Sequence, residues 1–345
     1  MSINSEYLLG MPKVELHIHV EGTIEGQLLF EIADRNGISL PYDTPDDILA
    51  LQNSSKKSDT ESLKSFLECL DASREALRKD TDYYEIAMSF YTRAERENIR
   101  YTEVMFDPQQ AVRQGIPLEG CIEALCQARD DARERFGIHS QWIMNFQRDH
   151  DLGSAIDVLS KAENYREDIV AIGLDNFEVH DFPRKFAPLY DLARTQGFHL
   201  TSHCDVHQSN SLNHIRDCLD LLKVERLDHG LDAFFDESLC NDILERGIGV
   251  AACPTFYSQG ASVPQKTMEC IRGLLEVGAL ISLSSDDPVQ LGSGWLTTTL
   301  DAAQSSGGFS NDEMKRFMTN AVKSSWMESG LKASFLGELN AYEHG

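Results

Sequence analysis

From residue 98 onward the chain repeats one pattern: a short apolar stretch, then an amphipathic helical stretch. "IRYTEVMF" (99–106) reads as a strand, with a helix near 117–135. "HSQWIMNF" (139–146) precedes a helix near 153–163, and "DIVAIGLD" (168–175) one near 183–196. "FHLTSHCD" (198–205) precedes a helix near 210–222, and "ERLDHG" (225–230) one near 236–246. "GIGVAACP" (247–254) precedes a helix near 264–277, and "ALISLSSDDP" (279–288) leads into helices that run to the end. "KVELHIHVEGT" (13–23) adds a strand in front. Its helix carries Leu28, Leu29, Ile32 and Ala33 at helical spacing and stops at Asn36-Gly37. Strands alternating with helices build a parallel sheet, and eight such units predict a closed (β/α)8 TIM barrel of the α/β class.

The alternative architecture is an open doubly wound sheet. No Gly-x-Gly-x-x-Gly turn follows any strand, which argues against its dinucleotide-binding form. No Gly/Ser/Pro-rich linker divides the chain, so residues 1–345 are expected to form one barrel domain. Residues 40–97 have no strand pattern and predict a helical, lid-like insertion between strands 1 and 2. Within it Leu63, Phe66, Leu67 and Leu70 form one apolar stripe. That stripe either packs on the core or faces a pocket, and Phe66 is the candidate substrate contact.

In a (β/α)8 enzyme the active site lies at the C-terminal ends of the strands. The first strand ends in His17 and His19. Residues two apart on a strand share a face, about 6–7 Å apart, so both imidazoles can converge on one ion. Strand 5 ends in His203 followed by Asp205, strand 6 in His229, and strand 8 in Asp286 and Asp287. Histidines from three strands and an Asp-Asp pair from a fourth, all at one rim, point to a metal. Three imidazoles and a carboxylate suit Zn2+ with one position left for water; ligand type alone also admits Fe2+. One ion per chain is expected. Strands 3 and 4 carry no Lys or Glu to bridge a pair, and Asp175 is the one candidate bridge there.

A bound metal brings the pKa of its water towards ~7 and so supplies hydroxide at neutral pH. His229 is placed to orient that hydroxide or stabilise charge as it attacks, and Asp287 to hydrogen-bond to an N–H of the substrate. The chemistry expected is hydrolysis at an sp2 carbon.

The net charge of −25 disfavours nucleic acid and anionic membranes as partners and leaves small neutral ligands. The acidity is spread along the chain, as in a soluble protein. No apolar run approaches membrane-spanning length, and the N-terminal residues do not resemble a signal peptide. Eight scattered cysteines without a C-x-x-C pair fit reduced thiols in a cytoplasmic protein. A homo-oligomer is compatible with all of this.

"HIHVEGT", His203 after strand 5, "LDHG" and "SSDDP" resemble the adenosine and adenine deaminases of the amidohydrolase superfamily. The resemblance runs along nearly the whole chain. "EVMFDPQ" (103–109), "GLDNFEVHDFPRKF" (173–186) and "LLKVERLDHG" (221–230) are most similar to the adenine deaminase branch. It implies a mononuclear zinc barrel that replaces a purine amine by oxygen and releases ammonia. The expected substrate is adenine or an N-substituted adenine in preference to adenosine. The resemblance implies that His17, His19, His203 and Asp286 bind zinc and that His229 assists the hydroxide. It implies that Asp287 holds the imidazole-ring nitrogen of the purine, with Glu21 and Gly22 beside the substrate. Asp175 and Glu178 are also expected in the substrate pocket.

Two departures bear on the chemistry. The family has H-A-G-E on strand 5, and its Glu protonates a ring nitrogen. Here the stretch reads "SHCDVHQ", and Val206 stands at the Glu position. Either another group carries that proton or the reaction has changed. Asp205 is the candidate, with Glu178 and His207 behind it. The second departure is "CPTFYSQ" after strand 7, where the family has C-P-L-S-N; Phe256 and Tyr257 would reshape the pocket wall. Two other readings therefore stay open. One is a metal hydrolase of this scaffold acting on another heterocycle or an amide. The other is a purine-binding relative with impaired catalysis. The H-x-E and P-C-x-x-C motifs of the nucleic-acid deaminases are absent.

Overall fold

In the computed structural model, eight parallel strands pair in sequence order, β1-β2-β3-β4-β5-β6-β7-β8. The structure describes residues 3–48, 67–68, 70–179, 181–204, 210–257, 263–292 and 294–343. The strands are β1 (Lys13–His19), β2 (Ile99–Phe106), β3 (His139–Gln147), β4 (Ile169–Asp175), β5 (His199–Cys204), β6 (Arg226–His229), β7 (Gly249–Ala252) and β8 (Leu280–Leu283). The segment after β8 closes the ring onto β1. Ile18 bridges Asp286 in parallel, His19 N donates to Asp286 O, and Asp286 N donates to His17 O. The fold is the expected (β/α)8 TIM barrel.

Alternation along each strand separates two environments. Leu16 and Ile18 of β1 join the main apolar core, which lies between the sheet and the helices. Lys13, Glu15, His17 and His19 take the other face and line the barrel interior. The interior holds a small separate apolar layer of Met105, Ile143 and Ala171, which are register partners across β2, β3 and β4. Below it the interior is charged. Arg226 pairs with Glu103, donates to Leu16 O at 3.2 Å, and lies 4.0 Å from the centroid of the Trp326 ring. Trp326 sits between two C-terminal helices, and its backbone N–H donates to Glu103 at 2.6 Å.

The first helix after β1 spans Gly26–Asn36 and ends at Gly37 in the left-handed region, as Asn36-Gly37 predicts. Residues 49–66 and 69 of the lid-like stretch lie outside the described residues, Phe66 included. Its last helix, Asp80–Arg96, packs along the helix Leu118–Phe136. Among the described residues, no helix is long and apolar enough to cross a membrane.

Candidate metal centre and active site

His17, His19, His203 and Asp286 come together at the C-terminal rim, each offering a ligand atom within 4.8 Å of the others. All four are buried. The alternation of β1 aims both His17 and His19 inward, and β5 delivers His203 opposite them. Asp286 reaches the group because its backbone is left-handed, with φ of 65°. His229 has the same handedness, with φ of 66°. Such backbones cost energy in residues with a β-carbon and concentrate at functional sites.

The fit to a metal can be tested on distances. A tetrahedral ion with bonds of about 2.0–2.1 Å places its ligand atoms roughly 3.3–3.4 Å apart. His19 Nε2 lies 3.1 Å from His203 Nε2, and His17 Nε2 lies 3.3 Å from Asp286 Oδ1. His19 Nε2 lies 3.6 Å from the same oxygen. His17 Nε2 is buried without a hydrogen-bond partner, a costly state that a cation would relieve. The donor set and its spacing fit one small dication.

The electrostatics agree. Burial, aided by the His17 imidazole, pushes His19 down to about 4, with the Asp286 carboxylate opposing. Burial and the neighbouring imidazoles push His203 well below the usual histidine range. Burial acts to raise Asp286, but His17 and the other imidazoles beside it hold it below the usual carboxylate range. Burial acts to lower His17, but the Asp286 and Asp228 carboxylates raise it. Neutral His19 and His203 and an ionised Asp286 are the protonation states that metal binding needs.

His229 stands behind this group, its Nε2 3.6 Å from Asp286 Oδ2. Asp287 is buried over Gly22, and burial together with the adjacent Asp286 pushes its carboxyl well up. Asp175 faces the Nδ1 side of His19 at 3.6 Å and accepts from Asn145 at 3.1 Å. It is thus on the far side of His19 from Nε2. Glu21 accepts from the backbone N–H of Asp107 at 3.0 Å, and burial beside Asp107 pushes it up to about 7. Glu178 bonds to His214 Nδ1 and lies 3.5 Å from Arg148. The cavity over the metal ligands has a volume of about 400 Å3, including the part open to solvent. His19, His203, His229, Asp175, Asp286 and Asp287 line it; Glu21, Gly22 and Glu178 are not among its described lining residues. Asp205, Val206 and His207 lie outside the described residues, as does the Tyr257 side chain.

Sequence reasoning missed two wall residues of consequence. Arg74 is buried and pairs with Asp107. Arg148 lies just beyond β3 and donates to His203 O at 2.5 Å and twice to Asn176 O. Arg148 stands at a strand end, where a charged residue is a usable signal; Arg74 sits among the mixed charges of "DASREALRK" and looks like helix surface. Leu67, Leu70 and Phe256 form the apolar wall, and the Phe256 ring centroid is 5.4 Å from that of His229.

Residues 12–342 match the model of the family described as adenosine deaminase. An adenine deaminase from Acinetobacter baylyi is 33% identical, with 97% of this chain and 98% of the relative covered. The crystal structure of an adenine deaminase from Arthrobacter aurescens superposes with a TM-score of 0.87 at 30% identity, covering 96% of this chain and 98% of that one. A zinc-bound amidohydrolase from Burkholderia ambifaria gives 0.85 at 26% identity, covering 99% and 93%. The matched span, residues 12–342, contains all eight strands and the positions of the candidate metal centre, and the chain belongs to the adenosine deaminase family.

Proposed function

We propose that this chain is a cytoplasmic hydrolytic deaminase that uses one zinc ion and acts on a 6-aminopurine base, adenine or an N-substituted adenine in preference to adenosine. Membership of the family makes it a hydrolase of carbon–nitrogen bonds. The single observation that carries the metal reading is the convergence of His17, His19, His203 and Asp286 at ligand spacing. The zinc in the Burkholderia ambifaria structure and the adenine deaminases among its relatives support the choice of metal and substrate.

When bound, zinc activates water for attack on the carbon bearing the amine. The chain's own residues do the rest. His229 orients the attacking oxygen from the Asp286 side. Asp287, buried beside Asp286 with its carboxyl pushed up, hydrogen-bonds the imidazole-ring nitrogen of the purine. Leu67, Leu70 and Phe256 hold the flat ring and exclude water. Asp205 supplies the proton that the family takes from the glutamate replaced here by Val206. Residues 1–345 act as one barrel domain, with residues 40–97 as a helical, lid-like insertion.

The test is amine release by the zinc-loaded protein: ammonia from adenine and adenosine, and the substituted amine from N6-substituted adenines. Turnover is expected on the bases and at least tenfold less on the nucleoside. No turnover on any of them would overturn the reading and favour a binding role or another heterocycle.

A further inference from the structure

Two of the three metal-site histidines, His17 of β1 and His203 of β5, share one carboxylate behind them. His17 Nδ1 lies 3.9 Å from Asp228 Oδ1, and His203 Nδ1 lies 3.7 Å from Asp228 Oδ2. His17 Nδ1, His203 Nδ1 and Asp228 Oδ1 are each buried without a hydrogen-bond partner. Buried polar atoms are nearly always paired, so three that face one another form an incomplete network. A shift of under 1 Å by each ring would complete it with ordinary hydrogen-bond lengths.

Asp228 is not free to move away. Its register partner across β5 and β6 is His203, and Thr201 Oγ1 donates to Asp228 Oδ2 at 2.6 Å. Arg226 Nε lies 3.8 Å from Asp228 Oδ1. Arg226 is itself pinned by Glu103, Leu16 O and the Trp326 ring at the closed end of the barrel. A column of charge thus runs up the barrel axis and ends at the backs of two ligands.

We propose that Asp228 is the common positioning carboxylate of the metal centre, one oxygen holding the Nδ1–H of His17 and the other that of His203. This fixes the tautomer in which both rings turn Nε2 to the ion. His19 Nδ1, also buried without a hydrogen-bond partner, faces a different carboxylate, Asp175, at 3.6 Å. The inference rests on the metal reading above. It adds that two ligands are set by a single residue that touches neither ion nor substrate. Removing an outer-shell partner of this kind costs roughly 10–100-fold in metal affinity.

The test is the zinc Kd of the metal-free protein, measured by competition with a chromogenic chelator. Asp228→Asn offers one acceptor where two are needed, and its Kd should rise roughly 10–100-fold. The visible bands of the cobalt-substituted protein should shift. Asp82→Asn is the control, because Asp82 is equally buried but pairs with Arg35 far from the metal. It should lower stability and leave the zinc Kd unchanged. Should Asp228→Asn fail to fold, Thr201→Val carries the test, with a weakened Kd restored by Thr201→Ser. A Kd within twofold of the parent in the folded variant overturns the proposal. A parent chain that binds no zinc overturns the metal reading and this inference together.

Discussion

Gly22 passes so close to Asp287 that a β-carbon built on it would stand 1.8 Å from Asp287 Oδ1 and 2.8 Å from its α-carbon. The second distance involves backbone, so rotation of a side chain cannot relieve it. Gly22→Ala must therefore displace Asp287 from its place over the pocket. Displacements near 1 Å at a reacting centre cost on the order of 100-fold in rate. Steady-state kinetics on adenine should show kcat/KM reduced by about that factor while circular dichroism stays unchanged. Parent-like kinetics would separate Asp287 from the reaction.

Asp205→Asn tests the proton donor. If Asp205 has taken the role of the missing glutamate, turnover should fall at least ~100-fold with zinc content retained. An unchanged rate removes Asp205 from the mechanism.

Arg148 ties the ends of β4 and β5 together through Asn176 O and His203 O, with Glu178 3.5 Å away. Arg148→Met strands a buried carboxylate and two carbonyls. The expected loss is roughly 3–5 kcal/mol of unfolding free energy, read from urea denaturation. A loss below ~1 kcal/mol would mean that this buried pair is not structural.

Glu15 predicts a pH effect. Its Oε1 accepts from the Ser285 backbone and hydroxyl at 2.9 and 2.6 Å, and burial pushes its carboxyl from 4.5 up to about 7. The folded value lies above the unfolded one, so the folded state binds more protons between them. The stability that Glu15 contributes is therefore complete below about pH 4.5 and is lost as pH rises through about 7. Each unit of separation is worth about 1.4 kcal/mol. Metal-free parent protein should lose stability relative to Glu15→Gln across that window. Parallel pH profiles would show that Glu15 does not titrate there.

The strands were legible because their residues are apolar on the helix-facing side whatever they carry inside. His17, His19, His203, Asp286 and Asp287 were legible because each stands at a strand end, where position alone marks function. The charged interior was not. Glu103, Arg226 and Asp228 lie on strands, and a charge on a strand reads equally well as a solvent-facing position. Only barrel closure shows that their faces meet. The last strand also differs from its expected extent. It ends at Leu283, and the backbone then turns so that Asp286, in the left-handed region, can bridge to Ile18. A left-handed aspartate leaves no mark in hydropathy.

The central claim is that one zinc ion held by His17, His19, His203 and Asp286 drives deamination. Its most direct test is ammonia release from adenine as the metal-free chain is titrated with zinc. Activity should rise linearly and break at one equivalent per chain. A break at two equivalents, or no activity at any loading, would contradict it.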